Sequence, residues 1–273
     1  MAFNNSKFEQ IRYGNAELVH QTSYKTSDGK PIQVKEHVRD VGVTMSNDLT
    51  FSHHIKNIVA KGKQMSGWIL RTFSSRRKEV LITLFKSMVI HTLEYCSPLW
   101  SPCDKHYINL IERVQREFTK RISDFSTYQA ELRYNVCYTS YQTRLDTLNI
   151  FSLERRRDRY AIIYIFKIIH GYVPNLGFVW DYNTRTKIHI RPFQVSNAAP
   201  PWIRKLRRNS LFHRGSLTFN LLPVNLREIN SHNIPERKYL KQFKKQLGTF
   251  LKTIPDVMNI NDNSILYHLQ HTA

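Results

Sequence analysis

Between Phe51 and Ile122 the apolar residues recur every three or four positions, and that period commits the stretch to helices. Phe51, Ile55, Ile58, Val59, Met65, Ile69, Leu70 and Phe73 form one stripe. It predicts an amphipathic helix with Thr50 or Ser52 as its cap. Lys56 and Lys63 lie along one border of that stripe and Lys61 near the other. After a break at Ser74-Ser75-Arg76-Arg77-Lys78, a second stripe carries Val80, Leu81, Leu84, Phe85, Met88 and Val89. It runs into Leu93 to Pro102, where Pro98 and Pro102 are expected to stop the helix and make a corner. A third stripe places Ile108, Ile111, Val114, Phe118 and Ile122 inward, with Arg113, Arg116 and Lys120 together on the opposite side.

The flanking regions read differently. Residues 1–46 read as strands and turns, with Asp28-Gly29 as a hairpin signal between Tyr24–Ser27 and Lys30–Val34. Val38, Val41 and Val43 suggest one further strand. Residues 123–143 read as a polar connection. The next helix is expected from Ser152 to Gly171, with glycine suited to C′ and Pro174 just beyond. Its second half is apolar nearly all round, which predicts burial on most sides. Residues 172–235 read as loops and short helices with one exposed basic segment at Arg204–Arg208. A last helix, about Glu236 to Leu251, puts Leu240, Phe243, Leu247, Phe250 and Leu251 on one side and Lys241, Lys244 and Lys245 elsewhere. The expected class is therefore mainly α (α+β): a short N-terminal β portion over 1–46, a helical bundle over 47–127 and a helical or irregular basic region over 128–273.

The 273 residues include 41 Lys+Arg against 21 Asp+Glu, a formal net charge of +20. A field of that sign attracts polyanions, of which nucleic acid is the commonest. The basic residues are spread over several segments instead of one polybasic block, which argues against an anionic membrane as partner. Met1–Lys7 has no apolar core of a signal peptide, and the run Tyr160–Ile169 is far short of the roughly 20 residues a spanning helix needs. Cys96, Cys103 and Cys137 are too few and odd in number for a disulfide framework. An intracellular location, nucleus or cytoplasm, is expected. Neither they nor the scattered histidines have zinc-site spacing, so no metal and no cofactor is expected.

Enzyme signatures are lacking. There is no phosphate-binding glycine loop, no G-x-S-x-G elbow and no H-E-x-x-H. Two-metal nucleotidyl transfer needs convergent carboxylates, and the sequence contains no adjacent Asp-Asp. Cys96 is read as a small core hydrophobe, not as a nucleophile paired with His91.

Specific residues then point to a family. Phe3-Asn4-Asn5-Ser6-Lys7-Phe8-Glu9, Val38 to Val43 and Asn47 to Ile55 resemble the end of the palm in non-LTR retrotransposon reverse transcriptases of the Jockey/CR1/RTE-like type. Leu93-Glu94-Tyr95-Cys96-Ser97-Pro98-Leu99-Trp100 looks like that family's LEYCSxLW corner, and Ile111 to Thr119 its IExVQRxFT helix. Arg144-Leu145, Leu153-Glu154-Arg155-Arg156-Arg157 and Asn220 to Pro223 match later stretches, all in order.

The resemblance implies an RNA-directed DNA polymerase whose catalytic Asp-Asp hairpin lies upstream of Phe3–Lys7, so that this chain alone is expected to be inactive. Magnesium would belong only to the intact parent. It further implies a primer-grip-like turn at Val41, Gly42 and Val43, with Val41 where leucine is commoner, and Lys7 as the lysine of the late-palm motif. Thumb helices of the family contact the template–primer backbone. The candidates for sequence-independent binding of RNA or DNA are Lys56, Lys61, Lys63, Arg71, Arg76, Arg77, Lys78, Arg113, Arg116 and Lys120. Two alternatives stand beside this reading. One is a protein-interaction or host-adopted protein, self-associating through strands that have lost their sheet neighbours. The other is a genomic relic without selected function.

Overall fold

In the computed structural model the described residues are 4–13, 23–122, 125, 132–133, 137, 139–175, 177–183, 187–191, 201–227, 236–254 and 256. Phe3, Ala199-Pro200, most of 123–138 and the side chains of Trp202, Lys205 and Arg208 lie outside them. The fold is mainly helical, as expected, with a short two-stranded antiparallel hairpin near the N-terminus. The chain divides into two compact units, Met1–Ala60 and Lys61–Ala273.

In the first unit, Asp28-Gly29 makes a turn, with Gly29 at φ +75°. It is closed by Thr26 N donating to Lys30 O at 2.8 Å, and only a single bridge, Lys25 to Pro31, flanks it. The regular hairpin lies later: β1 (His37–Asp40) pairs with β2 (Val43–Ser46), Asp40 opposite Val43. One strand was expected over Val38–Val43. Instead the chain reverses at Val41-Gly42, both at positive φ (42° and 84°), the geometry of a primed two-residue turn. Alternation had hidden the turn, because a valine is a poor marker of left-handed backbone. Asp48 accepts from Thr50 N at 3.0 Å and Thr50 Oγ1 from Ser52 N at 3.4 Å, leading into α1 (Ser52–Thr72).

In the second unit, α2 (Lys78–Phe85) continues through a π-helical turn, Lys86–Ile90, into α3 (His91–Glu94). The corner is not made by proline. Cys96 adopts a left-handed conformation (φ 52°) that ends α3, and Pro98 sits in the first turn of α4 (Ser97–Trp100). There proline's missing N–H costs nothing. Trp100 is buried and its Nε1 donates to Tyr95 O at 2.6 Å. Cys96 is exposed, not a core residue, because the left-handed turn carries it outward. Next come α5 (Lys105–Thr119) and α6 (Tyr141–Leu148), an unexpected helix that starts at the end of the stretch read as a polar connection. Ser140 caps α6, its Oγ accepting from Thr143 N at 3.1 Å.

Helix α7 (Leu153–Ile169) is bounded as expected. Ser152 Oγ accepts from Arg155 N at 3.1 Å. Gly171 (φ 71°) closes the other end, with Tyr172 N donating to Lys167 O at 2.8 Å, a Schellman motif. The apolar half of α7 is the centre of a core. Ile162, Ile165, Phe166 and Ile169 pack there with Phe178, Ile190, Phe219, Leu226, Phe243, Leu247 and Leu251. These come from β4 (Lys187–Arg191), α9 (Ser216–Asn220), α10 (Val224–Arg227) and α11 (Glu236–Thr253) or, for Phe178, precede β3 (Val179–Asn183); α8 (Pro201–Asn209) supplies none of them. Phe166 stacks on Phe243 at 3.8 Å. The β3–β4 hairpin, in a region read as loops and short helices, is held by Asn220. Its amide accepts from Ile190 N at 2.9 Å and donates to Ile190 O at 2.7 Å, replacing a strand neighbour.

The polar half of α7 is buried too, through ionic contacts. Glu112 of α5 accepts from Leu153 N (2.9 Å), Glu154 N (3.3 Å) and Tyr141 Oη (2.5 Å). Asp256 accepts from Ser152 N and Ser152 Oγ, both at 2.8 Å. Arg155 donates to Leu251 O and Ile254 O at the end of α11. Negative groups thus meet the positive end of α7 and a guanidinium meets the negative end of α11. Residues 61–127 and 128–273 therefore fall in one unit.

Burial, together with Asp158, raises the Glu154 carboxyl to about 7, against a partial pull from Arg157. Since the folded pKa lies above the unfolded one, the proton-linked stability is complete below about 4.5 and is lost as pH rises through about 7. His170, which burial lowers to about 4, acts in the opposite sense. The readout is therefore the difference between wild type and Glu154→Gln. The variant should gain melting temperature relative to wild type as pH rises from 4.5 to 7 and level off above. A difference that is flat with pH would contradict the assignment.

Candidate nucleic-acid interface

The cations expected to grip a phosphate backbone have unequal surroundings. In the first unit Lys56 is exposed, and Lys7 is exposed at the end of a 3-10 turn, Asn5–Lys7. The primer-grip-like residues form the β1–β2 turn: Val41 is 77% exposed, Gly42 is exposed and Val43 is buried. In the second unit Lys61, Lys63, Arg71 and Arg77 are exposed and Lys78 is half-buried.

Three candidates are already engaged. Arg76 donates to Leu70 O at 2.7 Å and Phe73 O at 2.5 Å, so it closes the carbonyl end of α1. Arg116 is half-buried with its guanidinium 5.1 Å from the Tyr141 ring centroid. Arg113 is exposed but pairs with Glu117 at 2.6 Å, one turn along α5. That hydrogen bond lowers the Glu117 pKa, and Lys63 and Lys120 act on the same carboxylate. The structure thus brings Lys63, Arg113 and Lys120 around one acidic group, which offsets part of the stripe's charge.

The arginines of the Glu154–Arg159 segment divide as well. Arg155 and Arg157 are almost fully buried, and Arg144 of α6 likewise. Arg144 donates to Thr139 O at 2.8 Å and Thr119 Oγ1 at 3.2 Å. Burial lowers the Arg157 pKa, opposed by Glu112, Glu154 and Asp158. These charges belong to the interior and face no ligand. Arg156 and Arg159 point the other way.

They form one wall of a groove of about 380 Å³ between α7 and α11. Arg156, Arg159 and Tyr160 face Lys244, Lys245, Gly248, Thr249 and Lys252, with Lys86 at the edge and Asn149 to Phe151 at one end. Six cations and no carboxylate line it among the described residues. Beside the groove, Arg156 grips Glu94 through two parallel bonds, Nη2 to Oε2 at 2.8 Å and Nε to Oε1. Arg159 donates to Lys244 O at 3.2 Å. Its pKa is lowered first by burial and further by Arg156. Like charges held together in this way favour a bound polyanion. No cation of the groove is among the ten residues singled out from sequence. The signal was there in Lys244, at the border of the Leu240–Phe243–Leu247 face of α11, and in Lys245 and Lys252, away from it. What the helical period could not show is which α7 arginines face them.

Among the described residues, no cluster of three His, Cys, Asp or Glu side chains could hold a metal ion, and no helix is long and apolar enough to cross a membrane. No protein-family model matches the chain, and no curated protein or solved structure does.

The engaged and the exposed cations separate by mutation. Arg76→Ala leaves two carbonyls of the α1 terminus uncapped and should lower stability by about 1–3 kcal/mol in denaturant titration. Its nucleic-acid affinity, measured below the unfolding transition, should be unchanged. A loss of affinity without a loss of stability would place Arg76 in the interface instead.

Proposed function

We propose that these residues form a sequence-independent nucleic-acid-binding region of reverse-transcriptase type, related to the thumb and C-terminal part of a non-LTR retrotransposon polymerase and without polymerase activity of its own. The observation that carries the binding reading is the α7–α11 groove, where six basic side chains converge, Arg156 among them already paired with Glu94, and no carboxylate of the described residues lines the walls. Phosphate oxygens need point charges and forked donors in a cleft, not a code of base-edge contacts. Groove lysines and arginines supply both. The exposed Lys61, Lys63, Arg71 and Arg77 and the half-buried Lys78 add to the field around the groove. The polymerase kinship rests on the ordered motifs of the sequence, and the expectation of no polymerase activity on its having no adjacent Asp-Asp.

The second reading is self-association through the β1–β2 hairpin. It is favoured by one feature: among the described residues the β1–β2 pair has no third strand on either outer edge.

Binding through the groove has a quantitative signature. Anisotropy titration of an oligonucleotide at several salt concentrations should give a slope of log K against log[salt] of roughly −4 to −5 if all six cations are engaged. Lys245→Glu with Lys252→Glu should weaken binding to all sequences alike and reduce the slope by about 2. Affinity indifferent to salt, or to this double substitution, would remove the groove from the interface. In a separate assay, primer extension on an RNA template with magnesium should yield no product, and measurable extension would overturn the non-polymerase reading.

A further inference from the structure

The basic groove does not end at Arg156. A second hollow of about 460 Å³ adjoins it and shares Lys86, Arg156 and Tyr160 with it. Its other walls are mixed: Ile90, Tyr95, Pro98, Ile163 and Tyr164 give apolar and aromatic surface, beside the polar His91, Glu94, Ser97 and Lys167. Tyr95 is 50% exposed, presented outward where Cys96 turns left-handed and ends α3. Its phenol is bonded to the Cys96 thiol, which raises its pKa. At the junction, the Arg156 guanidinium lies 6.0 Å from the Tyr160 ring centroid, with Nη2 3.4 Å from Tyr160 Oη. Phosphate-binding cations thus pass directly into a pocket of ring surfaces.

Resting on the groove reading above, we infer that the ligand is a single strand, whose phosphates lie in the α7–α11 groove while an unpaired base enters the pocket beside Tyr95. Neither half selects this ligand by itself. A basic cleft alone accepts any polyanion, and an aromatic pocket alone accepts many apolar rings. Contiguity of the two requires a chain with an anionic backbone and flat π faces free to stack. In a duplex the base faces are already stacked and the edges paired, so a duplex can fill the groove but not the pocket. The pocket is large enough for a ring ligand by the ordinary scale of such sites. No pattern of fixed base-edge donors is required, and RNA and DNA share the chemistry.

Cys96 lines the same pocket and is a free, exposed thiol, so it reports occupancy. The experiment is the alkylation rate of Cys96 in the full chain, read by mass spectrometry, with Cys103 and Cys137 as internal references. Four probes of equal length are compared: oligothymidylate, oligouridylate, an abasic oligomer and a duplex. Both single strands with bases should slow Cys96 alkylation at least tenfold. The abasic strand and the duplex should bind with the groove's salt dependence and leave Cys96 reactive. Tyr95→Ala should lower affinity for oligothymidylate about tenfold or more, to that of the abasic strand, while Tyr95→Phe retains it. If salt-sensitive binding persists but Cys96 reacts equally fast with every probe, the base pocket is wrong and the groove reading stands. If no probe binds at low salt, both are wrong.

Discussion

The amino end of α7 receives the buried carboxylates of Glu112 and Asp256, and the helices of the larger unit are tied together through them. Glu112 comes from α5 and Asp256 follows α11, so one helix terminus fixes two others. Arg155, one turn further on, returns the favour by holding the last carbonyls of α11. Each contact places a full charge against an oppositely signed helix end, where unsatisfied backbone groups give it donors or acceptors. Such buried charges are tolerated only because they are paired and hydrogen-bonded, and removing one partner of such a pair costs about 3–5 kcal/mol.

This arrangement decides what the net charge of +20 means. Arg144, Arg155 and Arg157 are interior. Arg76 closes a helix, and Arg113 is paired. What remains for a partner is a smaller set, and its densest part is the wall between α7 and α11. The same helix therefore serves two purposes with alternate arginines. Arg155 and Arg157 turn inward, Arg155 onto the last carbonyls of α11, while Arg156 and Arg159 turn to the groove. Arg156 also ties the groove to the corner through Glu94, so the basic surface is set by the core it stands on.

Much of this was legible in the residues. The caps Ser152 and Gly171, the core face of α11 and the helical body follow from period and end signals alone, because local backbone chemistry fixes them. The charged motif positions were read less well. Glu94, Glu112 and Arg155 to Arg157 lie in the stretches that resemble the retroelement polymerase family, and the structure uses them chiefly as internal ties. An arginine on a helix looks the same in sequence whether it faces a carbonyl end or water. Helix α6 escaped notice because its few apolar positions are short of a full stripe, and its stability comes from Tyr141, Arg144 and Leu145 packing into α5's surroundings. The corner was read from its prolines, whereas the backbone reverses at Cys96, a residue with no turn preference to announce it.

The central claim is that the partner lies along α7 and α11 and not along the basic faces of α1 and α5. Backbone hydrogen exchange of the full chain with and without a saturating homopolymer oligonucleotide tests it directly. The account predicts slowed exchange at 148–160 and 244–252, with little change at 61–72 and 113–120. Protection confined to α1 and α5, with α7 and α11 exchanging as in the free protein, would contradict it.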